Sequence, residues 1–169
     1  MDVSAEFLAR SRHYLARDYP RKIELCLSQL PAGALWRRSD ASSNSIGNLL
    51  LHLDGNIRQW IVSHVGGAPD NRHRSAEFEA KEGGDAATLF ATLRGTLDEA
   101  DAVIARLSAA DLATHRTIQG RDVTVFDAVY HVVEHCSMHT GQIILLTKLY
   151  APTTIQFYED AGGLAVPKY

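Results

Sequence analysis

The 169-residue chain is poor in cysteine, and its two cysteines, Cys26 and Cys136, lack the C-x-x-C spacing of a redox or zinc site. They read as free, reduced thiols of an intracellular protein, so no disulfide framework is expected. Positive charge is not in excess: 17 Lys and Arg against 20 Asp and Glu leave a net charge of −3. With the basic residues scattered, a nucleic-acid footprint is excluded. Long hydrophobic runs are missing too. The most apolar stretch, IILLTKLY, is short and carries Lys148, so no membrane span is expected. The opening MDVSAEFLARSRHYLARDYPRK alternates apolar and charged residues, unlike a secretory leader, and the expected location is cytoplasmic. There is no internal repeat, no low-complexity run and no Ser/His/Asp pattern. The Gly-Arg-Asp at Gly120 is a turn, not a phosphate loop.

What the chain does contain is helical periodicity, in four segments. Length and composition fit one domain over residues 1–169. Helix one runs from about Ser4 to Leu30, with Pro20 expected to kink or break it. Helix two starts near Ser43–Ser45 and ends at Gly66-Gly67, with Ile46, Leu49, Leu50, Leu53, Ile57, Trp60 and Ile61 on one face. A polar loop follows, with one helical turn at Ser75–Lys81. Helix three spans about Asp85 to Leu107. LATHRTIQGRDVTV then reads as a short β-hairpin or an extended excursion. Thr124 and Asp127 form a capping box for helix four, which Ala151-Pro152 ends near Tyr150. The tail, with Gly162-Gly163 and Pro167, reads as irregular. Long helices without βαβ alternation predict an all-α four-helix bundle, with that hairpin before the last helix. Trp36, Trp60, Tyr130 and Phe157-Tyr158 are expected in the core.

The chemistry concentrates on two helices. His131, His135 and His139 recur every four residues on helix four, each step turning about 40° and rising about 6 Å. They form a stripe with Gln142 beside the apolar face. Helix two repeats the arrangement with Asn48, His52 and Asn56. An i, i+4 histidine pair can place two ring nitrogens on one metal ion, and His52 is the best candidate for a third ligand. His131 and His139 stand about 12 Å apart along the axis, too far to share an ion. Spacing alone leaves His131/His135 and His135/His139 as equally good pairs.

HVVEHCSMHTGQIILLTKL resembles the last helix of the DinB/YfiT-like superfamily, where an H-x-x-x-H pair is followed closely by Gly-Gln. NSIGNLLLHLDGNIRQWI resembles that superfamily's second helix, and Leu35-Trp36-Arg37 fits the segment before it. The resemblance implies a four-helix bundle holding a divalent ion, zinc or nickel, by His52, His135 and His139. His131 becomes a neighbour that supports the ligands or lines the cavity. Some such proteins are transferases or isomerases that use low-molecular-weight thiols, and dimers are common among them.

The expected function is therefore a divalent-metal-dependent enzyme, a thiol-dependent transferase or a hydrolase. Its expected partners are a small-molecule substrate, a low-molecular-weight thiol among them, and a second copy in a homodimer. The rival is a non-catalytic helical bundle that binds a metal or a small molecule. Three histidines leave coordination positions open, the mark of a catalytic metal. Ligating imidazoles usually hand their second nitrogen to a hydrogen-bond partner. Asn48, Asn56, Gln142 and Glu134 are the nearby candidates, although Glu134 points about 100° away from His135 and should face solvent.

Overall fold

The computed structural model describes residues 1–151 and 155–168. Its frame is four helical rods, as the periodicity predicts. Asp2 caps the first, accepting from the Ser4 and Ala5 amides. That rod runs as α1 (Val3–His13), a π-helical segment (Tyr14–Asp18) and α2 (Tyr19–Ser28). Pro20 does not break it. The chain widens to a π turn just ahead of the proline, with Tyr19 N–H bonding Tyr14 C=O. Pro20 has no N–H for the Ala16 carbonyl one turn back, and Arg94 Nη1 donates to that carbonyl at 2.9 Å instead.

The second rod is α3 (Ile46–Ile57) continued by a π segment (Arg58–Val65), and it ends at Gly66-Gly67, where Gly67 takes a φ of +86°. Ser45 and Asn48 close its N-terminus as a reciprocal capping box. The polar loop contributes α4 (Arg74–Glu79). Asp85 caps α5 (Ala86–Ile104), and a single turn, α6 (Ala109–Leu112), follows in a stretch too short for a periodic signal. The expected hairpin is β1 (His115–Ile118) paired antiparallel with β2 (Arg121–Thr124). The Thr124/Asp127 box then opens α7 (Val125–Tyr150).

The tail departs from the sequence reading. It forms a second antiparallel pair, β3 (Tyr158–Asp160) with β4 (Ala165–Pro167), turned by Gly162 and Gly163 at positive φ. Pro152, the expected helix stop, lies outside the described residues.

Apolar faces of the four rods close on one core around Leu15, Ile23, Leu53, Ile57, Leu93 and Ile143. Both cysteines are buried in it as free thiols. Burial pushes Cys136 up to about 12 and Cys26 up to about 11. Trp60 and Phe157 are buried as expected, whereas Tyr130 is 58 % exposed and Tyr158 is exposed. Tyr130 falls on the outward face of α7, where Phe126 stacks parallel to it. No described helix is long and apolar enough to cross a membrane.

Candidate metal centre

α7 supplies two of the three central imidazoles. His135 and His139, one turn apart, are both buried on the flank facing α3, and their Nε2 atoms are 3.1 Å apart. His52 comes across from α3 and brings its Nε2 to 3.0 Å from the Nε2 of His135. These nitrogens all lie within 4.8 Å of one another, the one group of metal-ligating type found among the described residues. His131, one turn earlier on α7, stays outside this group. Its ring packs tilted by 41° on Trp60 with centroids 4.2 Å apart, and its Nε2 faces the Asn56 amide nitrogen at 3.4 Å.

Two of the three rings have their tautomer set from behind. His52 Nδ1 lies 2.8 Å from Glu77 Oε2. Burial disfavours the Glu77 carboxylate, but hydrogen bonds from Arg72 and His52 outweigh it and hold the carboxyl below its usual range. A carboxylate only accepts, so this contact, shorter than the 3.2 Å from Arg72 Nη2 to the same nitrogen, has His52 Nδ1 donating, and in the neutral ring that tautomer leaves the lone pair on Nε2. His139 Nδ1 donates likewise to Gln142 Oε1 at 2.6 Å, which bares its Nε2 as well. Both lone pairs point at His135 Nε2. His135 Nδ1 is buried with no partner among the described residues, so nothing behind that ring fixes its tautomer.

This arrangement fits a cation. A proton on His135 Nε2 can serve one neighbouring lone pair well, not two, whereas a shared ion serves all three nitrogens at once. Zinc–nitrogen bonds of about 2.0–2.1 Å in a tetrahedron put ligand nitrogens about 3.3 Å apart, close to the 3.0 and 3.1 Å measured from His135 Nε2 to its two neighbours. The two α7 rings also have the right charge state. Burial first, then the neighbouring His139 and His52, push His135 down to about 3, and burial lowers His139 against the pull of Gln142.

Glu77 and Arg72 are the functional residues that sequence reasoning passed over. Both come from the polar loop: Glu77 is buried on α4, and Arg72 grips it with Nε at 2.6 Å and Nη2 at 2.9 Å. The pair lies flat against α3 because residue 55 is glycine. A Cβ there would run into Glu77 Oε1 and come within 3.0 Å of Arg72 Nε. Phe78, next in sequence, covers the His52 ring at 4.7 Å.

Asn48 is corrected by the structure. It does not support a histidine directly, because its polar atoms are already committed. Oδ1 accepts from the Ser45 amide and hydroxyl, and Nδ2 donates to the Glu77 and Ala80 carbonyls. Its contribution is to cap α3 and tie α4 down, one step behind Glu77. Asn56 meets His131, and its Oδ1 is buried without a partner among the described residues. Glu134 faces solvent, its Oε1 3.7 Å from His131 Nδ1. His13, His73 and His115 are exposed, and His64 pairs with Asp70 near the surface.

A cavity of about 490 Å³ lies behind this centre, lined by Leu51, Asp54, Arg58, Pro69, Arg72 and Glu77 among others. None of the three clustered histidines lines it. It reaches the outer side of the Arg72–Glu77 pair and not the face on which the Nε2 atoms converge.

The fold has a solved counterpart. The crystal structure of a DinB-like protein from Bacillus cereus ATCC 10987 superposes with a TM-score of 0.66 at 16% sequence identity, covering 88% of this chain and 95% of that one. No curated protein matches. The family described as "Protein of unknown function (DUF1572)" matches residues 2–158, nearly the whole chain. On that match the chain belongs to the DUF1572 family, and it carries a DinB-like fold.

Proposed function

We propose that this protein is a divalent-metal-dependent enzyme whose ion, zinc or nickel, is held by Nε2 of His52, His135 and His139. One observation carries the reading: three buried imidazole nitrogens converge, and Glu77 and Gln142 aim two of their lone pairs at the common point. When bound, such an ion supplies Lewis acidity at the coordination positions that three protein ligands leave open. The chain's own residues hold the site. Glu77 and Gln142 keep two rings in the ligating tautomer, and His131 with Asn56 lines the flank next to His135 and contacts the substrate. The substrate is a small molecule, and the reaction is a thiol-dependent transfer or a hydrolysis. The two buried free thiols support an intracellular, cytoplasmic setting.

Metal analysis of protein purified without an affinity tag tests the site. Near-stoichiometric zinc or nickel is expected in the native chain and background metal in a His135→Ala/His139→Ala variant. Equal, negligible metal in both would end this reading. The alternative, a non-catalytic bundle that binds a metal or a small molecule, is favoured by the cavity lying behind the histidines rather than in front of them. A metal-loaded protein that turns over neither thiol-transfer nor ester and amide substrates would select it.

The reading includes a second copy of the chain as partner. Phe126, Tyr130, Met138, Leu145 and Leu149 leave an exposed apolar strip along α7. Sedimentation velocity should show a dimer at micromolar concentration. A monomer throughout would remove this part.

A further inference from the structure

The support for His52 continues beyond Glu77, to a part of the chain that belongs to neither histidine-bearing helix. In the β1–β2 hairpin Ile118 pairs with Arg121, so Gln119 and Gly120 form a two-residue loop. Both have positive φ, 53° and 75°. That is the backbone of a type I′ turn, whose first position favours asparagine, aspartate or glycine. Gln119 is the only non-glycine residue with positive φ among the described residues. An unfavourable residue held in that conformation calls for a local reason.

The reason is where its side chain goes. Gln119 Nε2 donates to Gln59 Oε1 at 2.8 Å, spanning 60 residues of sequence. The same oxygen accepts from Arg72 Nη1 at 3.0 Å. Arg72 uses its remaining edge on Glu77, and Glu77 Oε2 accepts from His52 Nδ1. The other end of the Gln59 amide is fixed as well, with Nε2 donating to Asp70 Oδ2 at 2.8 Å. A guanidinium is a rigid planar fork, so anchoring it on Gln59 and on Glu77 fixes its plane and with it the carboxylate. An unbroken run of hydrogen bonds therefore joins the hairpin loop to the ring of a proposed ligand.

We infer that the β1–β2 loop is a latch that sets the orientation of His52 for the metal, with Gln119 as its positioning residue. This rests on the three-histidine metal reading and extends it. Gln119 aligns Gln59, Gln59 aligns Arg72, and Arg72 holds Glu77 against His52 Nδ1. Asparagine at 119 would suit the turn better, but its side chain is one methylene shorter and stops short of Gln59. Glutamine is there for reach.

Cobalt(II) serves as the probe, because its visible absorption reports ligand geometry and its affinity can be set by chelator competition. Wild type, Gln119→Asn, Gln59→Leu and the double variant are compared, each also melted without metal. Gln119→Asn should melt at or above the wild-type temperature yet bind cobalt about threefold to tenfold more weakly, less than the tenfold to hundredfold of a direct ligand partner. Its absorption band should shift, and adding it to Gln59→Leu should weaken binding no further. Unchanged affinity and band in Gln119→Asn would overturn the latch. So would a loss of affinity that tracks a lower melting temperature of the metal-free variant, which assigns Gln119 to the fold alone. A wild-type chain that takes up no cobalt overturns the metal reading and the latch together, a result visible without any variant.

Discussion

The two halves of the candidate centre are built by opposite strategies. On α7 everything is local: His135, His139 and Gln142 lie within eight consecutive residues, and one helix sets their spacing and their hydrogen bond. On α3 almost nothing is local. His52 meets Glu77, 25 residues away, and Arg72, 20 residues away, while Arg72 in turn bonds Gln59, which accepts from Gln119 of the hairpin. The α7 half needs only a helix. The α3 half needs the tertiary fold, so it should be the half through which distant changes reach the metal.

Removing a ligand is the most severe way to test whether the halves form one site. His135 is the middle nitrogen, about 3 Å from both others. His135→Ala should abolish stoichiometric metal, read by elemental analysis, while the metal-free variant stays folded by circular dichroism. Retention of metal would mean that the α7 and α3 halves do not share an ion.

Glu77→Ala tests the α3 half alone. It strips the partner from His52 and leaves the Arg72 side chain, 4% exposed, as an unpaired buried charge. Breaking a buried ion pair by deleting one member costs about 3–5 kcal/mol, and an outer partner of a ligating histidine is worth about tenfold to hundredfold in metal affinity. Both losses are expected, in denaturant melts and in chelator competition. Gln142→Ala, its counterpart on α7, should lose less than tenfold in affinity and little stability, because Gln142 is exposed and water can replace its amide. Equal penalties in the two variants would erase the contrast between the halves.

That contrast also explains what was legible in the sequence. The histidine stripe, the Gly-Gln after it and the Thr124/Asp127 box all express helical spacing, so α7 could be read directly. His52 could be placed on its helix for the same reason. Arg72 and Glu77 could not, because an arginine and a glutamate in a polar loop look like solvated surface until the loop folds back. One signal was present: Gly55 sits inside a helix at a cost of about 1 kcal/mol relative to alanine, and such a glycine usually has a packing reason. Asn48 misled because its polar side chain lies in step with His52, yet a position three residues after Ser45 is also where a capping partner belongs. Pro20 was legible as a perturbation, but the carbonyl it leaves without a donor is met by Arg94 from α5, a contact that only the tertiary fold brings about. The β3–β4 pair escaped because three-residue strands are too short to show a period.

Two glycines bring the comparison down to single methyl groups. Gly55 lies under the Arg72–Glu77 pair, where a Cβ would strike the Glu77 carboxylate. Gly55→Ala should lower stability by about 1–3 kcal/mol, the range for overpacking, and weaken metal binding by displacing Glu77 from His52. Gly141 on α7, between His139 and Gln142, has nothing within 4 Å of its ideal Cβ. There the same substitution should raise stability by about 0.5–1 kcal/mol, the usual gain of alanine over glycine inside a helix, and leave metal affinity unchanged. The measurement belongs at a concentration where the chain sediments as a monomer, since Gly141 is on the outward side of α7 near the exposed apolar strip. Opposite signs at the two glycines would show that one half of the centre is sensitive to what lies behind it and the other is not. A loss of metal affinity in Gly141→Ala would mean that α7 also relies on support from outside its own helix.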